Sequence, residues 1–145
     1  MHIYLLETLK ESSNKIEYLN IKIDQADNLR NLSHFQESIK LLIEAEEDGR
    51  RICANEIVER ALNGRALILN AFGKYQDALT LLEQDEKICR LMDDRRSLTI
   101  CLYNQASNLN RLGRLDEALS LLHESENTSK EINYLCESRV KIHCC

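Results

Sequence analysis

The sequence predicts an all-α fold, and composition is the first reason. The chain of 145 residues contains no proline and only four glycines, and aromatic residues make up 5% of it. Sandwiches, barrels and doubly wound sheets need many glycine and proline turns and strands rich in β-branched and aromatic residues, so these folds are excluded. An apolar content of 43% with a net charge of −5 is typical of a folded domain rather than of a disordered chain.

An internal repeat is the second reason, and its period is roughly 40 residues, within the range known for helical repeats. Residues 66–86 and residues 106–126 align without a gap, and they share Ala66 with Ala106 and Gly73 with Gly113. A further shift by the same period aligns similar side chains in the first third of the chain: Ala26, Leu29, Ser33, Phe35, Ser38, Ile39, Leu41, Leu42 and Glu46. Self-similarity at such a period is the signature of stacked supersecondary units.

Each unit has the pattern of a helical hairpin. In the third unit, apolar residues recur at spacings of three and four, which predicts one face of a helix: Leu98, Leu102, Ala106, Leu109 and Leu112. Gly113 then closes that helix in a left-handed conformation. A second helix follows with Ala118, Leu119 and Leu122 on one face, and the second unit repeats the pattern around Gly73. Residues just after the turns are expected to wedge between neighbouring hairpins: Phe35, Tyr75 and Leu115.

A small residue in the middle of the first helix, a glycine turn and an alanine early in the second helix form a recognisable pattern. Over residues 20–130 this pattern resembles the tetratricopeptide repeat family, most clearly in the segment Leu112-Gly113-Arg114-Leu115-Asp116-Glu117-Ala118-Leu119. It is similar to the subclass with repeats of roughly 40 residues, which commonly occurs inside multidomain signalling proteins. The resemblance implies a right-handed α–α superhelix of antiparallel helix pairs.

We expect one array over residues 1–145. Its predicted parts are a flanking helix at 1–12, repeats at about 16–52, 55–92 and 95–130, and the first helix of an incomplete fourth repeat at 131–145. A solenoid normally ends in a helix with a polar outer face. In this last helix, however, the apolar residues Leu135 and Val140 would face water. We therefore expect either truncation from a longer array or a surface for self-association.

No enzymatic constellation emerges from the sequence. The four histidines have no convergent carboxylate or cysteine partners, and neither a phosphate-binding loop nor a nucleophile elbow is present. The six cysteines form no C-x-x-C pair, so a zinc knuckle is not supported. We expect Cys89 and Cys101 to be buried reduced thiols, whereas the role of Cys144 and Cys145 stays open. No catalytic residue, metal site or cofactor is predicted.

Charge and hydropathy restrict the partners and the compartment. Acidic and basic residues alternate, as in Asp93-Asp94-Arg95-Arg96, and do not form the uncompensated basic face that nucleic acid needs. No apolar run is long enough to span a membrane, and the first residues lack the features of a secretory signal. We therefore expect a cytoplasmic protein without nucleic-acid or membrane partners.

Glu46, Glu86 and Glu126 recur once per repeat, and we expect them to bond laterally to neighbouring Arg or Lys side chains.

The resemblance also implies a binding surface, because in tetratricopeptide arrays the first helix of each hairpin lines the concave groove. By position, the groove residues are Asn20, Asp24, Asp27, Arg30 and Asn31, then Arg60, Asn63, Leu67 and Asn70, then Tyr103, Asn104, Ser107, Asn110 and Arg111. An asparagine offers an amide donor and a carbonyl acceptor, so a series of them suits the backbone of an extended peptide. The alternative is that these are solvated polar positions. The set that clamps a C-terminal carboxylate in the chaperone-binding subclass is missing, so that ligand is not expected.

The sequence therefore predicts a non-catalytic protein–protein interaction module or scaffold. It would bind an extended peptide or a partner helix in the groove, within a larger regulatory or signalling protein. The alternative is a structural element that assembles with itself through the unfinished C-terminal helix.

Overall fold

The structure is a computed structural model that describes residues 2–143, with the side chains of residue 11 and residues 13–137. Within this range it contains six α-helices and no strand: α1 His2–Asn31, α2 Phe35–Arg51, α3 Asn55–Ala71, α4 Tyr75–Leu91, α5 Arg95–Arg111 and α6 Leu115–His143. The predicted all-α class is confirmed. The four inner helices have 17 residues each, whereas α1 has 30 and α6 has 29.

The turns share one backbone conformation and follow one another at a constant interval of half a repeat. Positive φ angles occur at Ser33 (64°), Cys53 (56°), Gly73 (73°), Asp93 (52°) and Gly113 (78°). At Ser33, Cys53, Asp93 and Gly113 the residue after the left-handed one donates its N–H to a carbonyl five residues back, for example from Ala54 to Gly49 at 2.8 Å. This is the Schellman motif, which satisfies carbonyls that the helix end leaves without partners. The sequence predicted a left-handed residue at Gly73 and Gly113, but three residues with side chains adopt the same conformation.

The chain divides after Phe72 into two compact units. The first unit has an apolar core in which α3 packs against both α1 and α2: Leu19, Ile23, Ala26, Leu42, Ala45, Ile57 and Ile68. Two glycines allow α2 and α3 to approach closely. A Cβ at Gly49 would lie 2.9 Å from Ile57 Cγ2, and one at Gly64 would lie 3.1 Å from Leu42 Cδ1. Phe35 packs edge-on against Phe72, with ring centroids 5.2 Å apart, so the predicted wedge is present here.

The second unit contains α4, α5 and α6, and α5 packs between the other two. One buried cluster is formed by Leu79, Ala106, Leu109 and Ala118, a second by Cys89, Leu98 and Leu102, and Leu121 packs against both. The predicted apolar face of α5 is therefore buried except at Leu112. Leu115 differs from the expectation. It is 57% exposed, so it is not buried between helices of this unit.

The ends of the helical array differ from the predicted boundaries. Residues 2–12 belong to α1 and residues 131–143 belong to α6, so neither segment is a separate helix. Asn133 stands where the next left-handed residue of the series would fall, yet it stays helical. A left-handed residue costs about 1–2 kcal/mol and is adopted where a returning helix compensates by packing. Cys144 and Cys145 lie outside the described residues, as does the side chain of Val140.

Candidate functional site

In the first unit, Arg60 joins predicted groove residues of two helices. Its guanidinium on α3 donates to Asn20 Oδ1 at 2.7 Å and to Asp24 Oδ1 at 2.8 Å, and both acceptors are on α1. The structure thus brings these three residues together, but it does so as a contact between helices. Asp24 and Arg60 also form an ion pair, so the charges of these two predicted groove residues partly neutralise each other.

The other predicted residues of this unit differ in exposure. Asp27 pairs with Arg30 at 3.5 Å on the same helix, and Asn31 is exposed. On α3 the side chains of Asn63, Leu67 and Asn70 are half-buried. The Oδ1 atom of Asn70 is buried, and among the described residues it has no hydrogen-bond partner. A buried acceptor without a partner costs about 1–3 kcal/mol. It therefore favours the binding of a group that donates a hydrogen bond to it.

In the second unit, α5 presents predicted groove residues to solvent. Tyr103, Ser107 and Asn110 are exposed and follow one another along the helix, while Asn104 is half-buried. Arg111 lies over the ring of Tyr75, with 6.0 Å between Cζ and the ring centroid. Tyr103, Ser107 and Asn110 therefore form an exposed strip that offers a partner one phenol, one hydroxyl and one amide.

This strip borders an open groove between α5 and α6 with a volume of about 430 Å³. The residues that line it are Tyr103, Ala106, Ser107, Asn110, Leu115, Ala118, Leu119 and Leu122. The predicted site contained the polar residues of α5 but not the leucines of α6. The spacing of Leu119 and Leu122 was a visible signal, but it predicted only one face of a helix, and Leu115 was expected to wedge between neighbouring hairpins.

Two of the three recurring glutamates make the lateral contacts that the sequence predicted, whereas Glu126 pairs within its own helix. Glu46 accepts from Arg65 at 2.5 Å and from Arg50 at 3.2 Å. Glu86 accepts from Gln105 at 2.8 Å and from Arg90 at 3.0 Å. Glu126 pairs with Lys130 at 2.9 Å. The first two glutamates therefore each bond to the first helix of the next hairpin along the chain.

The cysteines Cys89 and Cys101 are buried, as predicted, and both are thiols without a disulfide. Cys101 Sγ donates to the carbonyl of Leu82 at 3.1 Å, and Gln105 Nε2 donates to the same oxygen at 3.3 Å. Burial and the nearby Asp85 carboxylate raise the pKa of the Cys101 thiol. A thiol with a raised pKa stays protonated and is a poor nucleophile, so Cys101 is not an activated cysteine.

Comparison with known proteins places this geometry in a family. The model of the Tetratrico peptide repeat family matches residues 6–85 and residues 86–136. Among solved structures, the chain is similar to the N-terminal domain of stress-induced protein-1 (STI-1) from C. elegans. The TM-score is 0.63 at 11% sequence identity, over 77% of this chain and 84% of that chain. No curated protein sequence matches the chain.

The chain belongs to the tetratricopeptide repeat family, since the family model matches most of its length. The likeness to the solved structure supports the same all-α repeat fold. Tetratricopeptide repeats are generally protein–protein interaction modules. Among the described residues, none of the helices combines the length and the apolar character that crossing a membrane requires.

Proposed function

We propose that the protein is a non-catalytic interaction module that holds an extended segment or a helix of a partner protein on the first helices of its hairpins. The observation that carries the proposal is the exposed strip of Tyr103, Ser107 and Asn110 beside the leucine-lined groove of α6. An apolar wall with a polar rim is the usual composition of an interface core and its border. Within the first unit, the predicted residues on α1 and α3 are proposed separately as partner contacts.

The chemistry of the strip suits a peptide partner. The amide of Asn110 can donate and accept, and Tyr103 offers a large contact surface with a polar tip. Apolar side chains of the partner would be buried against Leu115 and Leu119, which are otherwise in contact with water. We propose the cytoplasm as the compartment and a larger regulatory or signalling protein as the context, following the subclass that the repeat resembles.

The test is to replace Asn63, Asn104 and Asn110 together by alanine. Partners captured from a lysate of the source cells by the wild type and by this variant are compared by mass spectrometry, and circular dichroism checks that the helical content is unchanged. The matched control replaces three exposed asparagines outside the groove, Asn55, Asn127 and Asn133, by alanine. Loss of capture in the groove variant alone supports the proposal, and undiminished capture contradicts it.

A second candidate function is self-association through the end of α6. Tyr134 is 71% exposed and Leu135 is 47% exposed. Exposed apolar side chains on adjacent positions of one helix favour a protein contact. Sedimentation velocity over a range of concentrations tests this candidate, with Leu135→Asp as the variant. A monomer at every concentration contradicts it, whereas a dimer that the substitution dissociates supports it.

A further inference from the structure

The groove between α5 and α6 has an equivalent elsewhere in the chain. We call its apolar part the α5–α6 face: Tyr103, Ala106, Leu115, Ala118, Leu119 and Leu122. A shift by two repeats toward the N-terminus places these positions on Ile23, Ala26, Phe35, Ser38, Ile39 and Leu42 of the first hairpin. The two sets occupy the same positions on the first and second helices of their hairpins.

The equivalent positions in the first hairpin are covered by α3. Ile23 is 1% exposed and Leu42 is 0% exposed, and both belong to the core that α3 completes with Ile57 and Ile68. On the α5–α6 face, Tyr103 is 60% exposed and Leu122 is 39% exposed. The chain itself therefore shows what this type of surface accepts, namely an amphipathic helix.

The contacts of α3 define which helix fits. Gly64 lies against Leu42, where a Cβ would already be 3.1 Å from Leu42 Cδ1. Ile68, four residues later, is fully buried in the core. Phe72, eight residues after the glycine, meets Phe35 edge-on. A small, an aliphatic and an aromatic residue thus follow one another at intervals of four, the first two on one side of α3 and the third at its C-cap.

A charge accompanies this pattern. Arg65, directly after the glycine, reaches Glu46 of the covered hairpin at 2.5 Å. The equivalent of Glu46 in the third hairpin is Glu126, which already pairs with Lys130 as Glu46 pairs with Arg50. The α5–α6 face therefore has a carboxylate at the position where a basic residue of an incoming helix would lie.

We infer that the α5–α6 face binds an amphipathic helix of a partner protein. The helix presents a small residue to Leu122, an aliphatic residue four positions later and an aromatic residue eight positions later beside Leu115. A basic residue directly after the small one pairs with Glu126. This inference rests on the proposed function and specifies its partner, since Tyr103, Ser107 and Asn110 border the same groove.

The probe is a fluorescent peptide with the α3 sequence, residues 55–72, added to the intact protein and followed by fluorescence anisotropy. We expect saturable binding that Leu115→Asp and Leu119→Asp each weaken by at least about tenfold, because each removes a buried leucine contact. Both side chains are more than half exposed, so the substitutions leave the fold intact. The control is Leu91→Asp, at an exposed leucine on α4 that does not line the groove, and it should bind as the wild type does.

Changes in the peptide test the residue pattern inferred for the partner helix. Replacing its Gly64 by leucine should weaken binding by about tenfold, because the bulky side chain meets Leu122. Replacing its Arg65 by glutamate should weaken binding less, and more at low salt than at high salt. A peptide that binds equally well with Gly64→Leu would contradict the inference, as would the absence of binding.

Two further outcomes separate this inference from the proposed function. If Leu119→Asp abolishes partner capture while the helical peptide does not bind, the surface has a partner of another shape and the inference is wrong, but the proposed function stands. If the protein is a dimer that Leu119→Asp dissociates, the occupant is a second copy, and the inference is also wrong.

Discussion

The first and third hairpins carry related residues on one face, but that face is covered in the first unit and open in the second. Leu42 is completely buried against α3, while Leu122, its equivalent two repeats later, keeps 39% of its surface exposed. The residue type is the same, so the difference comes from what packs against it. The same repeat position is a core position in one unit and a candidate interface in the other.

The interiors of the two units also differ. The first unit has an apolar core with Ser38 as its buried polar residue among the described side chains, and Ser38 Oγ donates to the carbonyl of Ala26 at 2.6 Å. The second unit buries more polar groups: Asp85, Gln105, Asn108, Ser125 and Thr128. The Nδ2 atom of Asn108 is buried and has no hydrogen-bond partner in the described part of the chain. Its equivalent in the preceding repeat is the buried Ile68.

The largest expected effect comes from truncating the two equivalent leucines. Leu42→Ala should lower the free energy of unfolding by about 3 kcal/mol, because it leaves a cavity in a closed core. Leu122→Ala should lower it by about 1 kcal/mol, since its side chain is partly in water already. Urea unfolding followed by circular dichroism measures both. Equal losses would contradict the open α5–α6 face.

The close approach of α2 and α3 predicts the next effect. Gly49→Val should lower the free energy of unfolding by about 2 kcal/mol, because its Cβ would lie 2.9 Å from Ile57 Cγ2 and 3.2 Å from Val58 Cγ2. The control is Glu47→Val, which places the same β-branched residue at an exposed position of the same helix. Thermal unfolding of both variants measures the difference, and a similar melting temperature for the two would show that the core of the first unit can adjust.

Asn108 offers a way to make the second unit more like the first. Asn108→Leu should raise the free energy of unfolding by about 1 kcal/mol, because it removes a buried amide donor without a partner in the described part of the chain. Asn110→Leu, at an exposed position of the same helix, should change it by less than about 0.5 kcal/mol. Chemical denaturation compares the two variants. A loss of stability at position 108 would mean that the amide is satisfied in solution.

The smallest effect concerns the turns. Cys53 closes α2 with a φ of 56°, a conformation that costs little for glycine alone. Cys53→Gly should therefore raise the free energy of unfolding by about 0.5 kcal/mol, whereas Cys53→Ser, which keeps a Cβ, should leave it unchanged. Both are measured by denaturant titration under reducing conditions. An equal gain for serine would show that removal of the thiol, and not relief of the backbone, is responsible.

Much of the fold could be predicted from the sequence. The apolar spacing located the helices, and the alignment of Gly73 with Gly113 located two of the turns. The turns at Cys53 and Asp93 have the same backbone conformation without a glycine, so no local signal gave their geometry. The helix ends near residues 13 and 131 were predicted wrongly. Whether a helix stops depends on whether another helix packs back on it, which local propensity does not encode.

The candidate site was predicted only in part. The repeat register identified Tyr103, Ser107 and Asn110 as accessible residues of a first helix, and they are exposed. The repeat register could not show that Arg60 would donate hydrogen bonds to Asn20 and Asp24, because these bonds depend on the distance between two helices. The prediction that any of these positions binds a partner stays a prediction.

The sequence by itself determined the class and the period of this protein. The absence of proline and the helical spacing of the leucines left helices as the available structure, and the internal repeat implied hairpins. The tertiary structure decided which leucines are core and which are surface, as Leu42 and Leu122 show. The physical reason is that burial is a property of what covers a side chain. Two leucines at equivalent positions of similar hairpins differ in burial when a helix packs on only one of them.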